Sequence, residues 1–154
     1  LRSDEDDKKQ IQRLLSDAKA VQKGQKIKDF SIIDFNNNKQ SVKGILKNKN
    51  TLLFFWNPKY VSKPYITSRI NYLTSKYPTV QFIQIKIDGN STDRITSLDI
   101  KNQYFIDATS SANAFLTSKM PRTILVNKKG IITNGYASLS SRNIYTQLES
   151  LAKN

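Results

Sequence analysis

Chemistry in this sequence must come from carboxylates, hydroxyls and amines, because the chain contains no cysteine and no histidine. It therefore has no disulfide, no thiolate nucleophile, no Cys/His zinc site and no imidazole base. Catalysis by a carboxylate pair needs two acids at a defined separation, with environments that push their pKa values apart. The candidate acids share no recognisable motif: Asp29, Asp34, Asp88 and Asp107. We predict no catalytic residue, no metal site and no cofactor.

Hydroxyl nucleophiles lack the motifs that activate them. Ser16 and Lys19 have the Ser-x-x-Lys spacing, but so short a pattern recurs by chance and its companion motifs are missing. The Gly-x-Ser-x-Gly elbow, the P-loop and the Gly-x-Gly-x-x-Gly fingerprint are absent as well. Serine-hydrolase and nucleotide-binding functions are therefore not predicted.

The charge balance is strongly basic: 25 Lys and Arg residues against 12 Asp and Glu residues give a formal net charge of +13. A nucleic-acid or anionic-surface binder would require these lysines to converge on one face. The two densest runs are not interleaved with the aromatic residues or glycine-rich loops that stack bases. They are Lys19, Lys23, Lys26, Lys28 and Lys39, Lys43, Lys47, Lys49. Nucleic-acid binding is disfavoured and is kept only as an alternative.

The elements that position these residues begin with a predicted helix over 4–23. Its apolar residues recur at spacings of three, four and seven, and four acids stand in its first turn, where the positive end of the helix dipole favours them. Gly24 is placed to end it. The apolar residues are Ile11, Leu14, Leu15, Ala18 and Val21. Such a helix either docks on the rest of the chain or is a leader, and the pattern leaves both open.

The rest of the chain alternates short strands and helices, which is typical of an α/β fold. The first two long strands are joined by a helix, so we expect them to be parallel. The segment 93–105 has weak helical character only around Ile95 and Leu98, and 111–118 is expected to form one or two turns. Predicted strands cover 30–35, 40–42, 51–56, 80–88, 123–126 and 131–136, and predicted helices cover 64–77 and 143–152.

One segment carries a family resemblance. Residues 53–64 read Leu-Phe-Phe-Trp-Asn-Pro-Lys-Tyr-Val-Ser-Lys-Pro. This resembles the active-site strand and loop of thioredoxin-like proteins of the TlpA/ResA type, in which a Cys-x-x-Cys pair begins four residues after Phe-Trp. Phe55 and Trp56 match that motif. Tyr60 and Lys63 stand at the two cysteine positions, so both redox residues are replaced.

Further motifs follow in the order that this family shows. Residues 24–35 resemble its lead-in hairpin, with Ile32 in the place of a leucine, and 80–88 resemble its second parallel strand. Residues 120–127, Met-Pro-Arg-Thr-Ile-Leu-Val-Asn, followed by Gly130 and Ile131, resemble its cis-proline segment and final hairpin. The resemblance spans about 24–153.

The resemblance implies a thioredoxin fold: a central mixed sheet of four to five strands flanked by helices, an N-terminal hairpin and an extra N-terminal helix. It implies a helical extension over 1–23, a thioredoxin-like domain over 24–154 and a cis bond at Met120-Pro121. It also implies a location in the cell envelope or periplasm. No stretch reaches the ~18 to 20 apolar residues of a membrane span. Because the sequence begins with Leu1, we expect a trimmed or mature fragment.

Thiol–disulfide exchange needs one thiolate to attack and a second thiol to resolve the mixed disulfide, so that reaction is excluded. The resemblance implies instead a groove that holds an extended protein or peptide segment, lined by Trp56, Tyr60, Lys63, Met120 and Pro121. We therefore expect a redox-inactive thioredoxin-like domain that acts as a non-covalent interaction module or as a scaffold. Two alternatives stay open. Trp56 and Met120 are simply packed, or the loop 57–63 performs non-thiol chemistry, for which Lys63 would need a strongly depressed pKa.

Overall fold

The chain folds around one mixed β-sheet in a computed structural model that describes residues 4–87, 101–107, 109–114, 116 and 120–153. The described helices are α1 (Asp4–Ala20), α2 (Val42–Leu46), α3 (Lys63–Lys76) and α4 (Asn143–Ala152), with a short 3₁₀ helix at Ser111–Ala114. The strands are β1 (Ser31–Asp34), β2 (Lys39–Ser41), β3 (Thr51–Trp56), β4 (Gln81–Lys86), β5 (Gln103–Phe105), β6 (Arg122–Val126) and β7 (Ile132–Ala137).

The strand order is β2-β1-β5-β4-β3-β6-β7. β3 and β4 are parallel, as the crossover through α3 requires, and β4 and β5 are parallel too. Five strands form the central sheet, and the N-terminal hairpin β1-β2 extends it because β1 pairs with β5. This confirms the predicted thioredoxin fold with its hairpin and its extra N-terminal helix.

The apolar run of β3 lies at the centre of the molecule. Its side chains alternate between the two faces of the sheet, as those of a strand must. Leu53 and Phe55 pack with residues of α2 and of the hairpin. Leu52, Phe54 and Trp56 pack with the apolar faces of α3 and α4. A strand buried on both faces needs no polar alternation, which explains its sequence.

The strand at the end of the segment 93–105 was not predicted. Residues Gln103–Phe105 form β5 and pair with Gln84–Lys86. The weak helical character expected around Ile95 and Leu98 falls outside the described residues. Parallel pairing with a buried strand supplies hydrogen bonds to these residues of β5, and the strand propensity of a short segment does not reveal such pairing. Residues 88–100 lie outside the described residues. The turn expected over 111–118 is present as the 3₁₀ helix Ser111–Ala114, and most of its second half lies outside them.

Helix α1 does not dock through the apolar face that its sequence predicts. Ile11, Leu14 and Leu15 are each 45–56% exposed, and Asp17 is the buried residue of the helix. At its C-terminal end the chain packs tightly on β7, since a Cβ added at Gly135 would lie 2.3 Å from the carbonyl oxygen of Val21. The helix is therefore held at its end. The division at residue 23 stays a prediction.

A buried ion pair joins α1 to the sheet. Arg122 donates from Nη1 and Nη2 to the two carboxylate oxygens of Asp17, at 2.9 and 2.7 Å. The hydroxyl of Tyr136 donates to Oδ1 of Asp17 at 2.7 Å, and the Arg122 guanidinium stacks 4.5 Å from the ring centre of Tyr136. Both charged groups are almost fully buried, and each compensates the charge of the other.

We predict that Asp17→Ala lowers the free energy of unfolding by about 3 to 5 kcal/mol, because it leaves the Arg122 charge buried without its partner. Urea denaturation at neutral pH measures the loss. Asp4→Ala, in the exposed first turn of the same helix, should cost less than about 1 kcal/mol. Asp17→Leu with Arg122→Met should be more stable than Asp17→Ala, since it removes both charges. A loss under about 1 kcal/mol for Asp17→Ala would contradict this role.

Candidate functional site

The loop after β3 is held at both ends by polar side chains. Asn57 donates from Nδ2 to the carbonyl of Ile87 at 3.0 Å and accepts from the backbone N–H of Lys59 at 3.0 Å. Ser62 caps α3 by accepting from the N–H of Tyr65 at 3.3 Å, and Pro64 stands in the first turn of the helix. The loop is thus a fixed turn between β3 and α3.

The two positions where the resemblance implies a redox pair lie in this loop and at the helix start. The side chain of Tyr60 is 50% exposed. Lys63 is the first residue of α3 and is half-buried. A phenol and an amine therefore stand where a thiol pair would be needed, and neither exchanges with a disulfide.

Trp56 does not face the solvent. Its exposed fraction is 0%, and it packs in the core between the sheet, α3 and α4. A fully buried side chain offers no surface to a ligand, so Trp56 does not line the predicted groove. Its indole N–H is buried with no hydrogen-bond acceptor among the described residues. A buried donor left unpaired costs about 1 to 3 kcal/mol, and native proteins contain few of them.

The Met120-Pro121 bond is cis, which confirms that prediction. The register pairs Phe55 with Arg122, so Pro121 lies beside the C-terminal end of β3 and the loop that follows it. Met120 is half-buried against the core on the α2 side of the sheet. Within the described part of the chain, neither the backbone N–H nor the carbonyl of Met120 forms a hydrogen bond.

A small apolar hollow lies next to Pro121. It has a volume of about 170 Å³. Of the residues predicted for the groove, Pro121 lines it, whereas Trp56, Tyr60, Lys63 and Met120 do not. Sequence reasoning missed its other main walls. These are Val61 and Tyr65 from the loop and α3, Thr123 from β6, and Ala137, Leu139 and Ser140 at and after the end of β7.

Only Val61 and Tyr65 could have been found from the sequence, because they stand within five residues of Tyr60. Leu139 reaches the hollow through the pairing of β6 with β7, which sequence spacing alone does not reveal.

The candidate acids do not form a pair. Asp29 accepts from the hydroxyl of Ser41 at 2.6 Å, Asp34 from the N–H groups of Asn36 and Asn38, both at 2.9 Å, and Asp107 from the hydroxyl of Thr109 at 2.5 Å. These hydrogen bonds lower the pKa of each carboxyl below its ordinary value. Asp34 and Asp107 thus order their own turns, and Asp29 ties the segment before β1 to the start of α2. Asp88 lies outside the described residues.

Solved structures share this architecture over nearly their whole length. A Bacteroides vulgatus protein named as a thiol-disulfide oxidoreductase has 24% identity and a TM-score of 0.69, over 85% of this chain and 97% of its own. A Chlorobium tepidum protein named as thiol:disulfide interchange protein DsbE has 15% identity and a TM-score of 0.70, over 86% and 99%. A thiol-disulfide oxidoreductase from Bacteroides fragilis has 18% identity and a TM-score of 0.68, over 82% and 99%.

No protein-family model and no curated protein matches the chain. The likeness to solved structures establishes the fold: this is a thioredoxin-fold chain, and its structural neighbours are thiol-disulfide oxidoreductases of the DsbE and TlpA/ResA type. Unlike an enzyme that exchanges disulfides, it contains no cysteine. No helix in the described part of the chain combines the length and the apolar composition needed to cross a bilayer.

We predict that the chain loses stability on acidification below about pH 4, because Asp29, Asp34 and Asp107 have lowered pKa values in the folded state. A lowered folded-state pKa contributes stability above the ordinary value of 3.8, and this is lost as the pH falls through the folded-state pKa. Urea midpoints measured from pH 6 to pH 3 should fall less steeply for the Asp29→Asn, Asp34→Asn, Asp107→Asn triple variant. Equal slopes would contradict the assignment.

Proposed function

We propose that this chain is a redox-inactive thioredoxin-like domain that binds an extended peptide or protein segment without covalent chemistry, at the surface formed by Tyr60, Met120, Pro121 and the adjoining hollow. The observation that carries the proposal is the backbone of Met120 beside the cis bond to Pro121, which forms no hydrogen bond within the described residues. Such an N–H and carbonyl can pair with an extended strand through main-chain hydrogen bonds.

The hollow supplies a place for a side chain of that strand. Its volume of about 170 Å³ is close to that of cavities that accept a benzene-sized group. Val61, Tyr65 and Leu139 make its walls largely apolar. Alternate residues of an extended strand point to the same side, so one apolar residue would enter the hollow while the backbone pairs at Met120.

The positive charge of the loop favours an acidic residue beside the apolar residue of the bound segment. The loop 57–63 contains Lys59 and Lys63 and no acidic residue. Lys59 and Tyr60 are exposed, and Lys63 is half-buried. An Asp or Glu next to the apolar anchor would meet these two amines, which adds selectivity more than affinity.

Catalysis at the same loop has no support in the contacts. In the described part of the chain, no carboxylate lines the hollow beside Pro121. The aspartates whose contacts are described accept hydrogen bonds away from this loop, and Asp17 is paired with Arg122. The non-thiol enzyme that remained an alternative for 57–63 would need such a partner for its acid–base step.

We also propose a location in the cell envelope. The support is the resemblance of 24–153 to TlpA/ResA-type proteins, together with the thiol:disulfide interchange protein among the structural neighbours.

We predict that peptides selected by display against the purified chain carry an apolar residue next to an acidic one, and that Tyr60→Ala weakens their binding about tenfold, a loss of about 1.4 kcal/mol. Fluorescence anisotropy with a labelled selected peptide gives the dissociation constant. Met120→Ala should weaken binding as well, and circular dichroism should show that both variants are folded.

Tyr72→Ala is the matched control, since the side chain of Tyr72 on α3 is also 50% exposed. It should bind the peptide like the unmodified chain. Amide shifts in an NMR titration should include Tyr60 and Val61. The proposal fails if no peptide is selected, or if Tyr60→Ala and Tyr72→Ala behave alike.

A further inference from the structure

Five lysines from three separate segments surround one pocket at the far end of the sheet from Pro121. Lys26 precedes β1, Lys43 and Lys47 lie in and just after α2, and Lys128 and Lys129 form the β6-β7 turn. The pocket has a volume of about 380 Å³. The sequence places these residues in runs too far apart to suggest a common site, and the fold brings them together.

Apolar side chains line the same pocket. Ile27 and Leu46 contribute to its surface although each is almost completely buried. No aromatic residue lines the pocket in the described part of the chain, so a base would have no ring on which to stack. A concave site with several amines differs from a flat basic face, which would suit a nucleic-acid backbone.

Backbone hydrogen bonds fix the segments that carry the lysines. The segment before β1 is tied to the final hairpin: the N–H of Ile27 donates to the carbonyl of Gly130 at 2.9 Å, and that of Ile132 donates to the carbonyl of Gln25 at 2.9 Å. The turn is fixed in the same way, since the N–H of Lys128 donates to Oδ1 of Asn50 at 2.9 Å. The backbone positions of the lysines are therefore fixed before a ligand binds, so no loop has to be ordered on binding.

In the described residues, no ion pair joins any of these five lysines to a carboxylate. Asp29 lies near Lys43, whose charge is one of the lesser causes that lower the pKa of that carboxyl. The Asp29 carboxylate is bonded to the hydroxyl of Ser41 and to the backbone N–H of Lys43. The carbonyls at the end of α2 are also occupied, since Ile45 accepts from Gln81 and Leu46 accepts from the N–H of Lys49. Few oxygen atoms of the protein thus compete with a bound anion for the lysine amines.

We propose that this five-lysine pocket binds a small anion carrying two or more phosphate groups. Lysine ammonium groups bind phosphate as point charges, and several phosphates are needed to balance five of them. The site is independent of the proposed peptide surface. The two sites lie at opposite ends of β6. Val126 is near the pocket, Arg122 is next to Pro121, and four residue steps of about 3.3 Å each lie between them.

The test is isothermal titration calorimetry of the full chain with inorganic tripolyphosphate. We expect saturable one-to-one binding that weakens as salt is raised, because screening reduces the attraction. The variant Lys43→Gln, Lys47→Gln, Lys128→Gln should bind at least about tenfold more weakly. The matched control Lys8→Gln, Lys9→Gln, Lys153→Gln removes the same charge from exposed positions outside the pocket and should change the affinity less than about twofold.

Equal weakening in the two variants would overturn the proposal, because it would show attraction to net charge and not to this pocket. So would the absence of saturable binding, or displacement of tripolyphosphate by a short DNA duplex at lower phosphate concentration. Sedimentation with vesicles containing phosphatidylinositol bisphosphate identifies the source of the ligand: direct binding that is lost in the pocket variant assigns a lipid headgroup, and no binding of the unmodified chain to these vesicles assigns a soluble phosphate. Peptide binding to the Tyr60 surface should be the same in the pocket variant, so the two proposals fail separately.

Discussion

The burial of β3 on both faces is the constraint on which the rest of this structure depends. Its side chains are covered by α3 and α4 on one face and by α2 and the hairpin region on the other. A strand in that position must have hydrogen-bonded neighbours on both edges, and β4 and β6 supply them. The register with β6 then brings the Met120-Pro121 bond beside the loop that follows Trp56. The site is therefore a consequence of how the central strand is paired.

The ion pair of Asp17 and Arg122 attaches the N-terminal helix to the same frame. Arg122 is the first residue of β6, directly after Pro121, so the helix is anchored one residue from the proposed peptide surface. A charge buried at that point must have its partner, which explains why an otherwise exposed helix ends against the sheet. The frame is complete although the chain contains no cysteine. The fold holds a surface in place whether or not thiol chemistry occurs there.

Local patterns predicted most elements of the fold. The helix over 143–152 is observed with those bounds, and the apolar run 51–56 is the buried strand expected. Two features were not predicted, for physical reasons. Residues 103–105 are too short a run to be recognised alone and become a strand because β4 and β1 lie beside them. The pattern of α1 left open whether and how the helix docks, and one buried aspartate with a distant arginine decided which side meets the sheet.

The sequence by itself determined what this protein cannot do and where to look. Without cysteine or histidine it has no thiol or imidazole chemistry, and the order of its motifs located the loop at 57–63 and the cis bond at Met120-Pro121. Only the tertiary structure decided that Trp56 is buried, that Leu139 walls a hollow beside Pro121, and that Lys26, Lys43 and Lys128 share a pocket. Burial and proximity depend on contacts between residues far apart in the chain, and residue spacing carries no information about those distances.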